Sequence, residues 1–336
     1  MDAAARRRCP RRSDRRLGGR LDRIDMRVAV VQAEVAPDLE AGIERTAALT
    51  RAAAERGARL VVFPETWLPG YPAWLDVCRD VALWDHAPVK QAYRRLAENG
   101  VVVPGPAADA IAAIARECEV TLVVGVSERV DAGAGMGTLY NSILTYSPDG
   151  ALLNHHRKLV PTYTERMVWG QGDARGLCAV TTPVGRVGAL VCWEHWMPLA
   201  RQALHTSGED VHVALWPTVH EMHQVASRHY AFEGRCFVLA AGSLMRASAL
   251  PPALEPHPAR VPNGAHLVMR GGSAIVGPDG AYLAGPVYDE PALLVADLPL
   301  ARAREERMTL DVSGHYHRPD ALALTVRRTR AAPPGP

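Results

Sequence analysis

Gly188-Ala-Leu-Val-Cys192-Trp-Glu-His-Trp-Met-Pro198 is the stretch on which the reading of this chain turns. A short apolar run ends at a thiol, and a helical pattern, placed at His195–Thr206, follows within a few positions. A strand–turn–helix elbow of this kind exposes a nucleophile above the end of a sheet. It also sets the sulfur near a helix N-terminus, whose dipole favours the thiolate. Read alone, Cys192 also fits a buried structural cysteine, the commoner fate of a free thiol.

The same alternation extends in both directions from the elbow. Arg27–Gln32, Leu60–Phe63 and Val120–Val126 read as buried strands, with helices at Asp38–Arg56 and Ala107–Glu119 between them. The turn Ser147-Pro-Asp-Gly150 joins Leu139–Tyr146 to Ala151–Arg157 in a hairpin. Beyond the elbow, Val211–Leu215 and Phe237–Ala241 read as strands around a helix at Glu221–Arg235. Later strands follow at Ala265–Val276 and Ala292–Leu298. Hairpins among crossovers imply a layered α/β domain with a mixed sheet. Periodicity goes no further than that. The Gly133-Ala-Gly135-Met-Gly137 run reads as a flexible loop rather than a phosphate cradle, since no strand-to-helix signal surrounds it.

A chain of 336 residues can bury a substantial core. It has no apolar run of the ~18 residues that a membrane-spanning helix needs. The formal charge of +2 is unevenly placed. Residues 1–25 hold nine arginines against four aspartates, which leaves the remainder with a formal charge of about −3. The body therefore has no basic field for nucleic acid. The leader lacks an apolar segment and reads as disordered, a basic binding arm being the alternative. Met26 opens the first strand and is a candidate for the true start. Six cysteines without short paired spacing argue against a zinc ribbon or disulfide scaffold and for a reducing cytoplasm.

Two more polar residues stand where structure alone explains them poorly. Glu65 follows the apolar Leu60–Phe63 and Pro64, at the strand end where α/β proteins place their sites; a helix cap or surface ion pair is the plainer reading. Lys158 closes the second hairpin strand and precedes the apolar Leu159-Val-Pro161, which fits a lysine held at a crevice as well as an exposed one. A Cys192–His195 dyad is a weaker rival, because the spacing across a turn gives poor geometry. The pairs His220/His223 and His315/His317 lack a convincing third metal ligand.

Four segments in order now carry a resemblance. They are Phe63-Pro-Glu65-Thr-Trp-Leu-Pro-Gly-Tyr-Pro72, His156-Arg-Lys158-Leu-Val-Pro-Thr162, Glu165-Arg-Met-Val-Trp-Gly-Gln-Gly-Asp173 and Cys192-Trp-Glu-His-Trp-Met-Pro-Leu-Ala-Arg201. Together they resemble the motifs of the carbon–nitrogen hydrolase (nitrilase) superfamily, from about Met26 to Asp320. Cys192-Trp-Glu-His195 and Asp311-Val-Ser-Gly-His-Tyr-His-Arg-Pro-Asp320 resemble its nitrilase branch more than its amidases or carbamoylases. Ala174, where nitrilases commonly carry glycine, is a small departure in a loop.

The resemblance implies a four-layer α-β-β-α sandwich in a single domain over residues 26–320, with a tail at 321–336. It implies Cys192 as nucleophile, Glu65 as general base, Lys158 as the cation stabilising the tetrahedral intermediate and Glu165 as the second glutamate. No metal or organic cofactor is implied, and a homo-oligomer is. The expected reaction is hydrolysis of a small organic nitrile to acid and ammonia, with amide hydrolysis or cyanide consumption as alternatives. The backbone N–H of Trp193 is the expected oxyanion donor, since it follows the nucleophile. Trp67, Tyr71 and Trp196 cluster in sequence around these groups and are candidates to line an apolar pocket, core packing being the competing role.

Overall fold

In the computed structural model, which describes residues 26–328, the first strand divides its side chains between two cores. β1 (Met26–Gln32) sends Val28 and Val30 into one apolar cluster and Ala29 and Val31 into another. That is the two-residue period of a strand covered on both faces. The readings of residues 1–25 and 329–336 lie outside the described residues.

Asp38 caps α1 (Leu39–Glu55) by accepting the Ala41 N–H, as an N-terminal Asp should. β2 (Leu60–Val62) returns parallel to β1. There follow α2 (Trp74–Val77), α3 (Ala87–Glu98), β3 (Val101–Val102), α4 (Pro106–Glu117), β4 (Thr121–Arg129), β5 (Leu139–Tyr146) and β6 (Leu152–Arg157). The second half runs β7 (Val180–Thr182), β8 (Gly185–Val191), α5 (Pro198–Ser207), β9 (Val211–Leu215), α6 (Glu221–Gly234), β10 (Phe237–Ala241), β11 (Leu244–Arg246), β12 (Leu267–Val276), β13 (Tyr282–Tyr288), β14 (Ala292–Leu298) and α7 (Leu300–Glu306).

The strands form two seven-stranded mixed sheets. One has the order β14-β1-β2-β4-β5-β6 with β3 beside β4, and the other β11-β12-β10-β9-β8-β7 with β13 beside β12. Val28, Val30, Leu60 and Val62 of the first sheet share a core with Val187, Ala189, Val213 and Leu239 of the second. Each of these buried valines and leucines contributes about 1.5–3 kcal/mol. Ala53 of α1 and Ile111 and Ile114 of α4 cover the outer face of the first sheet. Leu204 of α5 and Tyr230 of α6 pack against the second. The order α-β-β-α is thus the expected four-layer sandwich. Among the described residues no helix is long and apolar enough to cross a membrane.

Two differences from the sequence reading have physical causes. The helix expected over 195–206 is two pieces, a tight 3₁₀ turn Cys192–Trp196 and then α5. Pro198 has no N–H to continue the first turn and starts the second helix at its N1 position. α2, α3, β3, β7, β11, β13 and α7 have no counterpart in the sequence reading; β13, half-exposed and interrupted by Gly285-Pro286, shows no apolar alternation. Among the described residues Cys78, Cys118, Cys192 and Cys236 are free thiols.

Candidate active site

Four segments deliver four polar side chains to one buried point. Glu65 lies just past β2, where Phe63 N–H still bonds Val123 O at 2.9 Å and Glu65 N–H reaches Trp216 O of the other sheet at 3.4 Å. Its backbone lies against Gly125 of β4 so closely that a Cβ there would stand 2.2 Å from Pro64 O and 2.8 Å from Glu65 Cα. Lys158 follows β6, and its N–H bonds Asn141 O of β5 at 2.7 Å. Glu165 sits in a 3₁₀ turn, Tyr163–Met167, with the Thr162 N–H on its Oε2 at 2.8 Å.

Cys192 follows β8 with a φ of +50°, in the left-handed region. For a residue other than glycine that conformation costs about 1–3 kcal/mol and persists only when its surroundings hold it. His195 helps to hold it, its Nδ1–H donating to the Cys192 carbonyl at 2.7 Å. The Trp193 N–H favours the thiolate form of the sulfur.

Glu65, Lys158 and Glu165 are each 1% exposed and Cys192 3%. The Lys158 ammonium donates to Glu65 Oε1 at 3.2 Å and to Glu165 at 3.0 and 2.7 Å. The Asn141 amide donates to Glu65 Oε1 at 2.6 Å, and the Tyr71 hydroxyl to Glu165 Oε1 at 3.0 Å. Glu65 Oε2, also buried, has no partner. A carboxylate oxygen of each glutamate and the Cys192 sulfur lie within 4.8 Å of one another.

Burial sets the protonation of the group. It lifts the Glu65 carboxyl to about 7, with Lys158 pulling back and Glu165 adding to the rise. It also pushes the Cys192 thiol well up, an effect the Glu65 charge reinforces and Lys158 opposes. For Lys158 burial works against the charge, but Glu65, Cys192 and Glu165 outweigh it and hold the ammonium protonated above its ordinary range. The resting arrangement is a neutral thiol beside a carboxyl that titrates near neutrality and a permanent cation.

The structure brings Glu65, Lys158, Glu165 and Cys192 together, with the Trp193 N–H at the sulfur and Tyr71 alongside. It does not bring Trp67. That indole is buried on the α1 side of the first sheet and donates to Thr46 Oγ1 at 2.8 Å, so it packs the outer layer rather than lining a pocket. Trp196 is 37% exposed and lies edge-on to Trp193 and Trp216 behind the elbow. Tyr71 also walls a cavity of about 420 Å³, with Trp74, Leu96, Met245, Leu250 and Pro251 among the other lining residues.

His195 is no base for the thiol, since its Nδ1 is spent on a carbonyl and its Nε2 faces His212 Nε2 at 3.0 Å. His223 stacks on Trp216. Among the described residues the one grouping of metal-ligating types is Glu65, Glu165 and Cys192. Lys158 already supplies the positive charge there. Sequence reasoning missed Asn141 and Glu194. Asn141 announces itself only once β5 is known to turn that residue toward Glu65. Glu194 stands inside the quoted Cys192 motif, where an acidic residue at the start of a helical turn looks like a cap.

With this geometry in place, comparison with known proteins is direct. The sequence model of the carbon-nitrogen hydrolase family matches residues 27–308. The aliphatic nitrilase of Sinorhizobium fredii strain HH103 is 40% identical over 304 residues, covering 89% of this chain and 95% of that protein. A bifunctional nitrilase/nitrile hydratase of Lupinus angustifolius, NIT4A, is 38% identical, covering 90% of this chain and 86% of its own. A carbon-nitrogen hydrolase from Helicobacter pylori G27 superposes with a TM-score of 0.66 at 19% identity, over 88% of this chain and 98% of that one, a likeness of fold. The elbow, the sandwich and the family match agree: this chain belongs to the carbon-nitrogen hydrolase family.

Proposed function

We propose that this protein is a nitrilase, converting an organic nitrile to its carboxylic acid and ammonia through covalent intermediates on Cys192. The observation that carries the mechanism is the division of labour on Glu65. Its Oε1 takes the Asn141 and Lys158 hydrogen bonds, and its Oε2 is left without a partner in a buried site that also holds the Cys192 sulfur. An unengaged carboxylate oxygen titrating near 7 is suited to take the thiol proton as the sulfur attacks.

Attack on the nitrile carbon, with the proton delivered to nitrogen, gives a thioimidate. Water adds to it, and the tetrahedral centre is held by the Lys158 ammonium and the Trp193 N–H. One such donor is worth about 3–4 kcal/mol in comparable sites. Expulsion of ammonia leaves a thioester, which a second water, deprotonated by Glu65, releases as acid. Expulsion of the thiol instead releases the amide. Glu165, anchored by Thr162 and Tyr71, positions Lys158 and the substrate. Tyr71 is the aromatic best placed to meet the organic group. The preference for nitriles over amides rests on the relatives named nitrilases and on the Cys192-Trp-Glu-His195 motif.

Two further expectations accompany this reading. Trp193, Leu199, Met222 and Val225 leave large apolar groups exposed on the face carrying α5 and α6, which suits a homo-oligomer. A cytoplasmic setting would keep the Cys192 thiol reduced.

The test is ammonia release from a panel of nitriles and the matching amides, with Cys192→Ala as control. Release from nitriles that vanishes in the variant supports the proposal. Release from amides alone moves the protein to the amidases of the family, and a Cys192→Ala protein that keeps turnover overturns the mechanism.

A further inference from the structure

The reaction as drawn leaves a fully buried carboxylate beside the site without a task. Glu194 is 1% exposed. Its Oε1 accepts the Leu159 N–H at 2.8 Å, and its Oε2 accepts the Val191 N–H at 2.8 Å. His156 Nε2 stands 3.1 and 3.0 Å from the same two oxygens. Burial opposes the charge, but His156 and the two amides outweigh it and hold the carboxylate below its ordinary range. It is an anion with each oxygen committed.

The positions of the two amides matter more than their number. Leu159 follows Lys158, and Val191 precedes Cys192. β6, which ends at Arg157, belongs to the first sheet, and β8, which ends at Val191, to the second. One carboxylate therefore bridges the two sheets at the peptides that carry the cation and the nucleophile. No repeating strand pairing joins the two sheets at that level. We propose that Glu194 is a positioning residue that sets the separation of the Lys158 ammonium and the Cys192 sulfur. The proposal rests on the catalytic roles assigned above to those two residues.

Glu194→Gln keeps the shape but offers one acceptor oxygen and one NH₂, so one of the two peptides faces a donor instead of an acceptor. Its release misplaces either the cation or the thiol, and misplacement of about 1 Å can cost ~100-fold in rate. The decisive reading needs no nitrile. It is the rate of Cys192 alkylation by iodoacetamide against pH, followed by mass spectrometry of the Cys192 peptide, with melting temperature measured alongside. In Glu194→Gln the alkylation rate is expected to fall about 10-fold or more, its pH profile moving to higher pH as the thiolate loses its placed cation. kcat for a turned-over nitrile falls by a similar factor, with KM within about threefold.

His156→Leu is the structural control, since it removes Glu194's third donor and leaves both catalytic peptides bonded. It should lower the melting temperature while keeping alkylation within about threefold of wild type. Should Glu194→Gln fail to fold, Glu194→Asp, too short to hold both peptides, takes its place. A folded Glu194 variant that alkylates at the wild-type rate and pH profile overturns the proposal, as does a His156→Leu protein that loses both properties in parallel with it. Failure of every nitrile to react would overturn the assigned activity and leave the alkylation result standing.

Discussion

At Glu65 a carboxyl has been moved to where a base is useful at neutral pH, and burial does most of the moving. Its folded value of about 7 lies above the ordinary 4.5, so the folded state holds a proton that the unfolded chain gives up. The stability this contributes is complete below pH ~4.5 and is lost as pH rises through ~7. Glu65→Gln should therefore gain stability relative to wild type as pH rises across that window and hold the gain above it. Melting curves of both proteins at pH 5, 6, 7 and 8 check this; a constant difference would refute it. Activity is expected to run the other way, since Glu65 in its proposed role as base must be ionised. kcat/KM should fall below pH ~7, and Glu65→Gln should lose about two to four orders of magnitude in kcat, measured by ammonia release. Cys192 and Glu65 stand out from the sequence because each closes an apolar run at a strand end, and Lys158 because it closes a strand and precedes the apolar Leu159-Val-Pro161. Glu165 was named only through the resemblance, and Trp67 misled because closeness in sequence says nothing of which side of a strand an indole takes.

Between elements, Gly125 shows how one strand sets another's exit. No positive φ explains this glycine; β4 simply carries the Glu65 segment on its backbone, and a methyl group would meet Pro64 O and the Glu65 Cα. Gly125→Ala should displace Glu65, lowering kcat by about 10- to 100-fold together with a loss of stability of about 1–3 kcal/mol. Activity assays and denaturant titration read the two separately, and a fully active Gly125→Ala protein would show that the segment has room. Elements with short apolar runs bounded by clean breaks were legible to the residue, as at Leu139–Tyr146, Val211–Leu215, Phe237–Ala241 and Ala292–Leu298. α3 was not, although Val89, Tyr93 and Leu96 lie on one face behind Pro88 at its first turn. Its buried stripe is narrow because it covers the end of the sandwich rather than a sheet face.

At the scale of the molecule, periodicity led only to a layered α/β domain, and the four-layer order came through the resemblance. The reason is that sheet order depends on partners far apart in the chain, which local alternation does not encode. The apolar face of α5 and α6 belongs to this scale too. If it is an oligomer contact, Val225→Glu should shift the protein to a smaller species in light scattering while its melting temperature stays within a few degrees; an unchanged mass would exclude this face. The same sheet order has a consequence for how the protein is made. β1 lies between β2 and β14, and its residue Val30 pairs with Leu294. The ribosome must therefore finish nearly the whole domain before its first strand can be covered on that side. Until then β1 presents a bare hydrogen-bonding edge to every neighbouring chain. Folding should be slow and late, set by closure of this long loop, and a chain stopped at Glu290 should collect in the insoluble fraction on expression.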